Sequence, residues 1–160
     1  MAGMPVPVVR ALPLLLLFAA GCGAAAPAPP PAGGARVDTC AVFGDADLKA
    51  LDLSQGQRMP NKPTGCMLGS PRGFRVFVIN EERVTIDDAA KRTQISFSRN
   101  EVNGRKGFLA VGEESSCTQG VEFGAGTLHV LANVAGAQVP VDACDLARRV
   151  MDVVEPKLPR

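Results

Sequence analysis

Five cysteines constrain this chain more than any other feature of its sequence. Four of them, Cys40, Cys66, Cys117 and Cys144, are spread along its C-terminal part, and the fifth, Cys22, closes an apolar N-terminal run. An odd count in an exported chain requires one cysteine to have another use. Setting Cys22 aside leaves an even number, which fits two disulfides formed in an oxidising compartment. Four cysteines allow three pairings, and spacing alone does not choose among them. The expectation adopted is the local one, Cys40 with Cys66 and Cys117 with Cys144, which closes a loop within each half of the domain. Each loop holds about 26 residues, so each bridge is worth about 3.5 kcal/mol by loop entropy. There is no Cys-x-x-Cys, and the sole histidine is His129. Zinc and dithiol sites show close spacing, so the four cysteines read as structural, with no metal and no cofactor.

Cross-links suit a core of this composition. Among 160 residues there is no Trp and no Tyr, and there are seven Phe. Burial must come from Val, Leu, Ile, Phe and Ala, which makes a thin core that gains from staples. Charge points to no polyanionic partner. The chain is formally +1, and removing residues 1–21 takes away Arg10 and no acid, leaving zero. The short basic pairs Arg105-Lys106 and Arg148-Arg149 read as a solvated turn and a helix C-terminal half, not a nucleic-acid face.

The N-terminus reads as an export signal. Arg10 precedes an apolar run from Ala11 to Ala20. A run of about ten residues has the length of a signal-peptide core, and as a helix it covers about 15 Å, half a hydrocarbon layer. It ends in Ala19-Ala20-Gly21-Cys22, which resembles a bacterial lipobox. The chemistry needs that order: a thiol to take the diacylglycerol thioether, and small residues before it to admit the signal peptidase. The alternative is an ordinary signal cut later, for instance after Ala24-Ala25-Ala26, which would discard Cys22. Two or three acyl chains anchor durably where one binds reversibly. Residues 22–35 hold no apolar side chain larger than Ala or Pro beyond Cys22 itself, so they read as a tether reaching roughly 40 Å. The expected organisation is a signal peptide over 1–21, an anchored tether over 22–35 and one domain over 36–160.

Within the domain, residues 44–51 read as a short helix capped by Gly44 or Asp45, and 53–63 as a polar loop ending in Pro60 and Pro63. A strand begins at Cys66. Phe74 to Ile79 is β-branched and aromatic, which suits a central strand. Thr85 caps a short helix running to Arg92, with Asp88 in the capping-box position. Gln94 to Ser98 alternates as a strand does, and Asn103-Gly104 is a strong hairpin signal. Strands follow at 108–111, 116–123 and 127–134. The last places Leu128, Val130, Ala132 and Val134 on one face, and Thr127, His129, Leu131 and Asn133 on a more polar one. His129 is therefore expected at the surface. Asp142 caps a last helix whose stripe is Leu146, Val150, Val153 and Val154, stopped by Pro156. The fold class is α+β: a mostly antiparallel sheet with helices packed on one face.

These residues resemble a known family. The lipobox at Cys22 and Thr39-Cys40-Ala41-Val42-Phe43 before Ala46-Asp47-Leu48 carry the likeness, with Gly65-Cys66 and Asn103-Gly104-Arg105-Lys106-Gly107. Cys117-Thr118-x-Gly120-Val121 and Ala143-Cys144-x-Leu146-Ala147 complete it. The family is the actinobacterial envelope lipoproteins grouped only as domain of unknown function three-five-five-eight. Met67 and Leu68 stand where its members often carry an aromatic. The resemblance implies surface localisation and a disulfide-braced α+β domain, and implies no catalytic residue.

Catalysis is not expected from the residues either. Ser115 or Ser116 could be imagined as a nucleophile, but there is no Gly-x-Ser-x-Gly elbow and His129 is the sole base candidate. Glu113 and Glu114 are adjacent, and on a strand adjacent residues point apart. Glycan binding normally uses Trp or Tyr platforms, which are missing. The expected function is a non-catalytic interaction module on the outer face of the cytoplasmic membrane, held by acylated Cys22. Its partner would be an envelope protein or a small apolar ligand. The alternatives are a small envelope hydrolase or a carrier of such a ligand.

Overall fold

A computed structural model describes residues 36–92 and 94–160. The readings made for 1–21, Cys22 and the tether to residue 35 lie outside the described residues. The described elements run α1 (Asp45–Leu51), β1 (Gln57–Met59), β2 (Lys62–Gly69), β3 (Arg75–Glu81), α2 (Ile86–Ala90), β4 (Ser96–Val102), β5 (Arg105–Val111), β6 (Ser116–Phe123), β7 (Gly126–Asn133) and α3 (Ala143–Val154). A 3-10 turn, Glu155–Lys157, follows α3. All strand pairs are antiparallel, and the sheet order is β1-β2-β3-β7-β6-β5-β4.

Local chemistry explains the helix ends. At α1, the Asp47 carboxylate accepts the Gly44 N–H at 2.8 Å, and Asp52 closes the helix in the left-handed region. At α2, Thr85 Oγ1 accepts the Asp88 N–H while the Asp88 carboxylate accepts the Thr85 N–H, both at 3.2 Å, which is the expected reciprocal cap. At α3, Asp142 accepts the Asp145 N–H at 2.7 Å. The α3 stripe buries Leu146, Ala147, Val150, Met151 and Val154.

The polar stretch 53–63, expected as loop, contains β1 and the start of β2. Composition misleads here because Pro63 falls where β2 is in register with neither neighbour, so its missing N–H breaks no ladder bond.

The sheet has two unlike faces. One carries Cys66, Leu68, Val76, Val78, Val121, Leu128, Val130 and Ala132, all fully buried under α3 and α1. Both expected bridges are formed on this side. Cys40–Cys66 ties the N-terminal segment to β2, and Cys117–Cys144 ties β6 to the first turn of α3. Gln119 is buried among these apolar residues, and its amide is satisfied by a reciprocal pair with Asn100 at 2.9 and 3.1 Å and by the Phe108 carbonyl at 2.9 Å.

The short helix α2 lies over the other face, so helices cover both sides rather than one. The topology requires it: β3 and β4 are separated by β7, β6 and β5, and the link 82–95 must cross the sheet. The first face is already occupied by α3. Ile86 and Ala89 of α2 therefore pack on Phe108, Ala110 and Phe97 of the second face.

Candidate functional site

The crossing segment creates the two features of the second face that could carry function. One is a buried polar cluster beneath it, and the other is an open groove beside it.

The cluster forms because alternation puts Glu81 of β3 and Thr127 and His129 of β7 on the same side, and β3 and β7 pair with Glu81 opposite Thr127. His129 is buried, contrary to the surface position expected from its strand. The more polar side of β7 is not solvent, because segment 82–92 lies across it and Phe108 packs against the imidazole edge-on at 5.3 Å between centroids. Phe108 in turn stacks on Phe97.

Hydrogen bonding fixes the ring. Thr127 Oγ1 donates its one proton to the Val84 carbonyl at 2.8 Å and lies 2.5 Å from His129 Nε2. With that proton committed, the hydroxyl can only accept, so Nε2 carries the imidazole hydrogen. Burial pushes the His129 pKa down to about 4; the Glu81 carboxylate opposes this, and Arg92 and Lys62 add to it. The ring is therefore neutral at physiological pH. Glu81 receives Lys62 at 3.1 Å and Arg92 at 2.8 Å, with His129 at 3.7 Å. Burial works to raise its carboxyl pKa, but the hydrogen bonds from the Lys62 and Arg92 cations win and hold it below the usual range.

This arrangement does not make a general base. The Thr127 proton points away from the ring, so no hydroxyl is activated. Ser116 is four residues along β6 from Gly120, the residue opposite His129, which is roughly 13 Å. Its hydroxyl donates to the Glu113 carbonyl at 2.6 Å. Glu113 and Glu114 sit in the turn before β6, with Glu114 at φ 53°, and not on a strand. The serines, the glutamates and His129 are thus not brought together. Among the described residues, no three His, Cys, Asp or Glu side chains group so as to hold a metal ion.

The groove lies between the start of α2 and the β4–β5 hairpin. It is open to solvent, encloses about 700 Å³, and is lined by Thr85, Asp87, Arg99, Glu101, Lys106 and Glu122 among others. Its charges are mixed in sign, and Asp87 is ion-paired to Arg99 across the groove. Close by, the basic pair expected as a solvated turn divides. Lys106 is exposed, but Arg105 reaches the fully buried Glu155 carboxylate at 3.0 Å and the Pro159 carbonyl at 3.1 Å. Asn103 adds a third bond to Glu155 at 3.0 Å. Burial works to raise the Glu155 pKa, and the Arg105 and Asn103 hydrogen bonds outweigh it, so the carboxyl stays below its ordinary value.

Glu81, Thr127, Gln119 and Glu155 are structural polar residues that composition and motif do not single out. Parity along β7 groups Thr127 with His129, which was a usable signal. Nothing local tells that β3 pairs with β7 and supplies Glu81. Glu155 sits beside Pro156, where a helix stop gave no reason to look for burial.

No curated protein and no solved structure matches this chain. The profile of the family described as "Protein of unknown function (DUF3558)" matches residues 17–157, most of the chain, and the chain belongs to that family.

Proposed function

We propose that this chain is a non-catalytic interaction module of the cell envelope, exported and held on the outer face of the cytoplasmic membrane by acyl chains on Cys22. One observation carries the non-catalytic reading: the sole histidine is neutral, buried and bound to a hydroxyl whose proton is spent elsewhere. The groove beside α2 offers fixed charges of both signs, which favours a polar protein surface over a small apolar ligand. The lipobox-like Ala19-Ala20-Gly21-Cys22 supports the anchor, and the two disulfides suit an oxidising exterior. Among the described residues, no helix is long and apolar enough to cross a membrane, so attachment would rest on the N-terminal segment.

Photo-crosslinking in intact cells tests the reading. A crosslinker at Lys106, on the groove, is expected to give one reproducible adduct that is missing when it stands at Asp145 on α3. Cys22→Ser is expected to release the domain from the membrane fraction. Equal background adducts at both positions would overturn the interaction reading, and membrane retention of Cys22→Ser would overturn the anchor.

A further inference from the structure

The two edges of the sheet are treated differently. β1 is three residues long, its register with β2 breaks between Arg58 and Met59, and Pro60 ends it. These are the usual ways of blunting an edge. β4, at the other edge, has seven residues, holds regular register with β5 from Ser96 to Val102, and contains neither Pro nor Lys.

The hairpin geometry tells which backbone groups of β4 face outward. Asn103 and Gly104 both have positive φ, 50° and 81°, as a two-residue primed turn requires. Such a turn makes Val102 and Arg105 a hydrogen-bonded pair, so Val102, Asn100, Ser98 and Ser96 bond to β5. The N–H and C=O groups of Phe97, Arg99 and Glu101 then point away from the sheet. Their side chains lie on the second face, and Arg99 and Glu101 are exposed.

We propose that β4 pairs antiparallel with β4 of a second copy of this chain, about a two-fold axis through Asn100. The inference rests on the reading of the domain as an interaction module and names its partner. Charge selects the register. With the axis at Asn100, Arg99 stands opposite Glu101 of the second copy, and this happens twice by symmetry. Both residues carry outward backbone groups, so the same two pairs supply four interchain hydrogen bonds. Moving the axis to Arg99 sets that arginine against itself, which charge repulsion disfavours. Asp87, already paired with Arg99, adds a carboxylate to each side of the contact. The sheet would continue from seven strands to twice that number across the axis. One strand pair is a small interface, so the dimer is weak in solution, with a Kd on the order of 0.1 mM. Confinement of two anchored copies to one membrane would raise their effective concentration.

Sedimentation of the exported chain from residue 22, carrying Cys22→Ser and with both disulfides checked by mass, tests this without any other protein. The expected result is an average mass that climbs toward twice the monomer between about 10 µM and 1 mM. Arg99→Glu and Glu101→Arg, each alone, set like charges opposite one another and are expected to weaken the dimer about tenfold or more. The double variant R99E/E101R restores opposite charges and is expected to recover it. A chain that stays monomeric at 1 mM, or a double variant no better than either single one, overturns the proposal. In the first case a Lys106 adduct with a different protein in cells would leave the interaction reading standing.

Discussion

Buried polar residues set the energetics at the finest scale. Glu155 is a carboxylate with no exposed surface, held by Arg105 and Asn103. Removing Arg105 leaves that charge in the interior with the neutral Asn103 amide at 3.0 Å and, as its nearest cation among the described residues, Arg160 at 3.7 Å. Arg105→Ala is therefore expected to cost about 3 kcal/mol in urea unfolding. The folded Glu155 pKa lies below its ordinary value, so its stabilisation is present above the unfolded pKa and is lost as pH falls through the folded one. Glu155→Gln is expected to flatten that acid limb. His129 makes a second contribution of the same sign. Its pKa falls from 6.5 unfolded to about 4 folded. The unfolded chain binds more protons between those values, so stability climbs across that window and is complete above it. NMR titration should place the imidazole near pH 4, with the hydrogen on Nε2; a pKa near 6.5 would contradict the buried, neutral ring.

Elements were legible where their cause is local. The caps at Thr85 and Asp142 and the hairpin at Asn103-Gly104 are spelled out by neighbouring residues, and the structure places them there. What escaped the sequence depends on partners far along the chain. β1 exists because β2 offers it a ladder, although Gln57 and Arg58 are polar and exposed. His129 is buried because the link from β3 to β4 has to cross the second face, a consequence of sheet order that no window of sequence contains. Cross-strand packing gives a direct check on that face. Gly120 stands opposite Phe108, and a Cβ there would meet the ring at 2.2 Å. Gly120→Ala should therefore displace Phe108 from His129 and cost about 1–3 kcal/mol in thermal or urea unfolding. An unchanged stability would mean that the ring does not rest on the glycine.

For the molecule as a whole, the cysteine arithmetic carried the most information. The bridges pin the N-terminal segment to β2 and α3 to β6, across the face with the larger core. Replacing Cys117 and Cys144 by Ala is expected to cost about 3 kcal/mol, read as a lower urea midpoint, because a long loop is freed in the unfolded chain. On the proposed reading the same arithmetic reserves Cys22 for acylation, and the picture of this chain as an envelope-displayed interaction module depends on that residue. Intact mass spectrometry of the native protein taken from membranes tests it most directly. The account predicts a polypeptide whose first residue is Cys22, carrying acyl chains and lacking the four thiol hydrogens of two disulfides. A chain that starts elsewhere, carries no lipid and shows free thiols would contradict it.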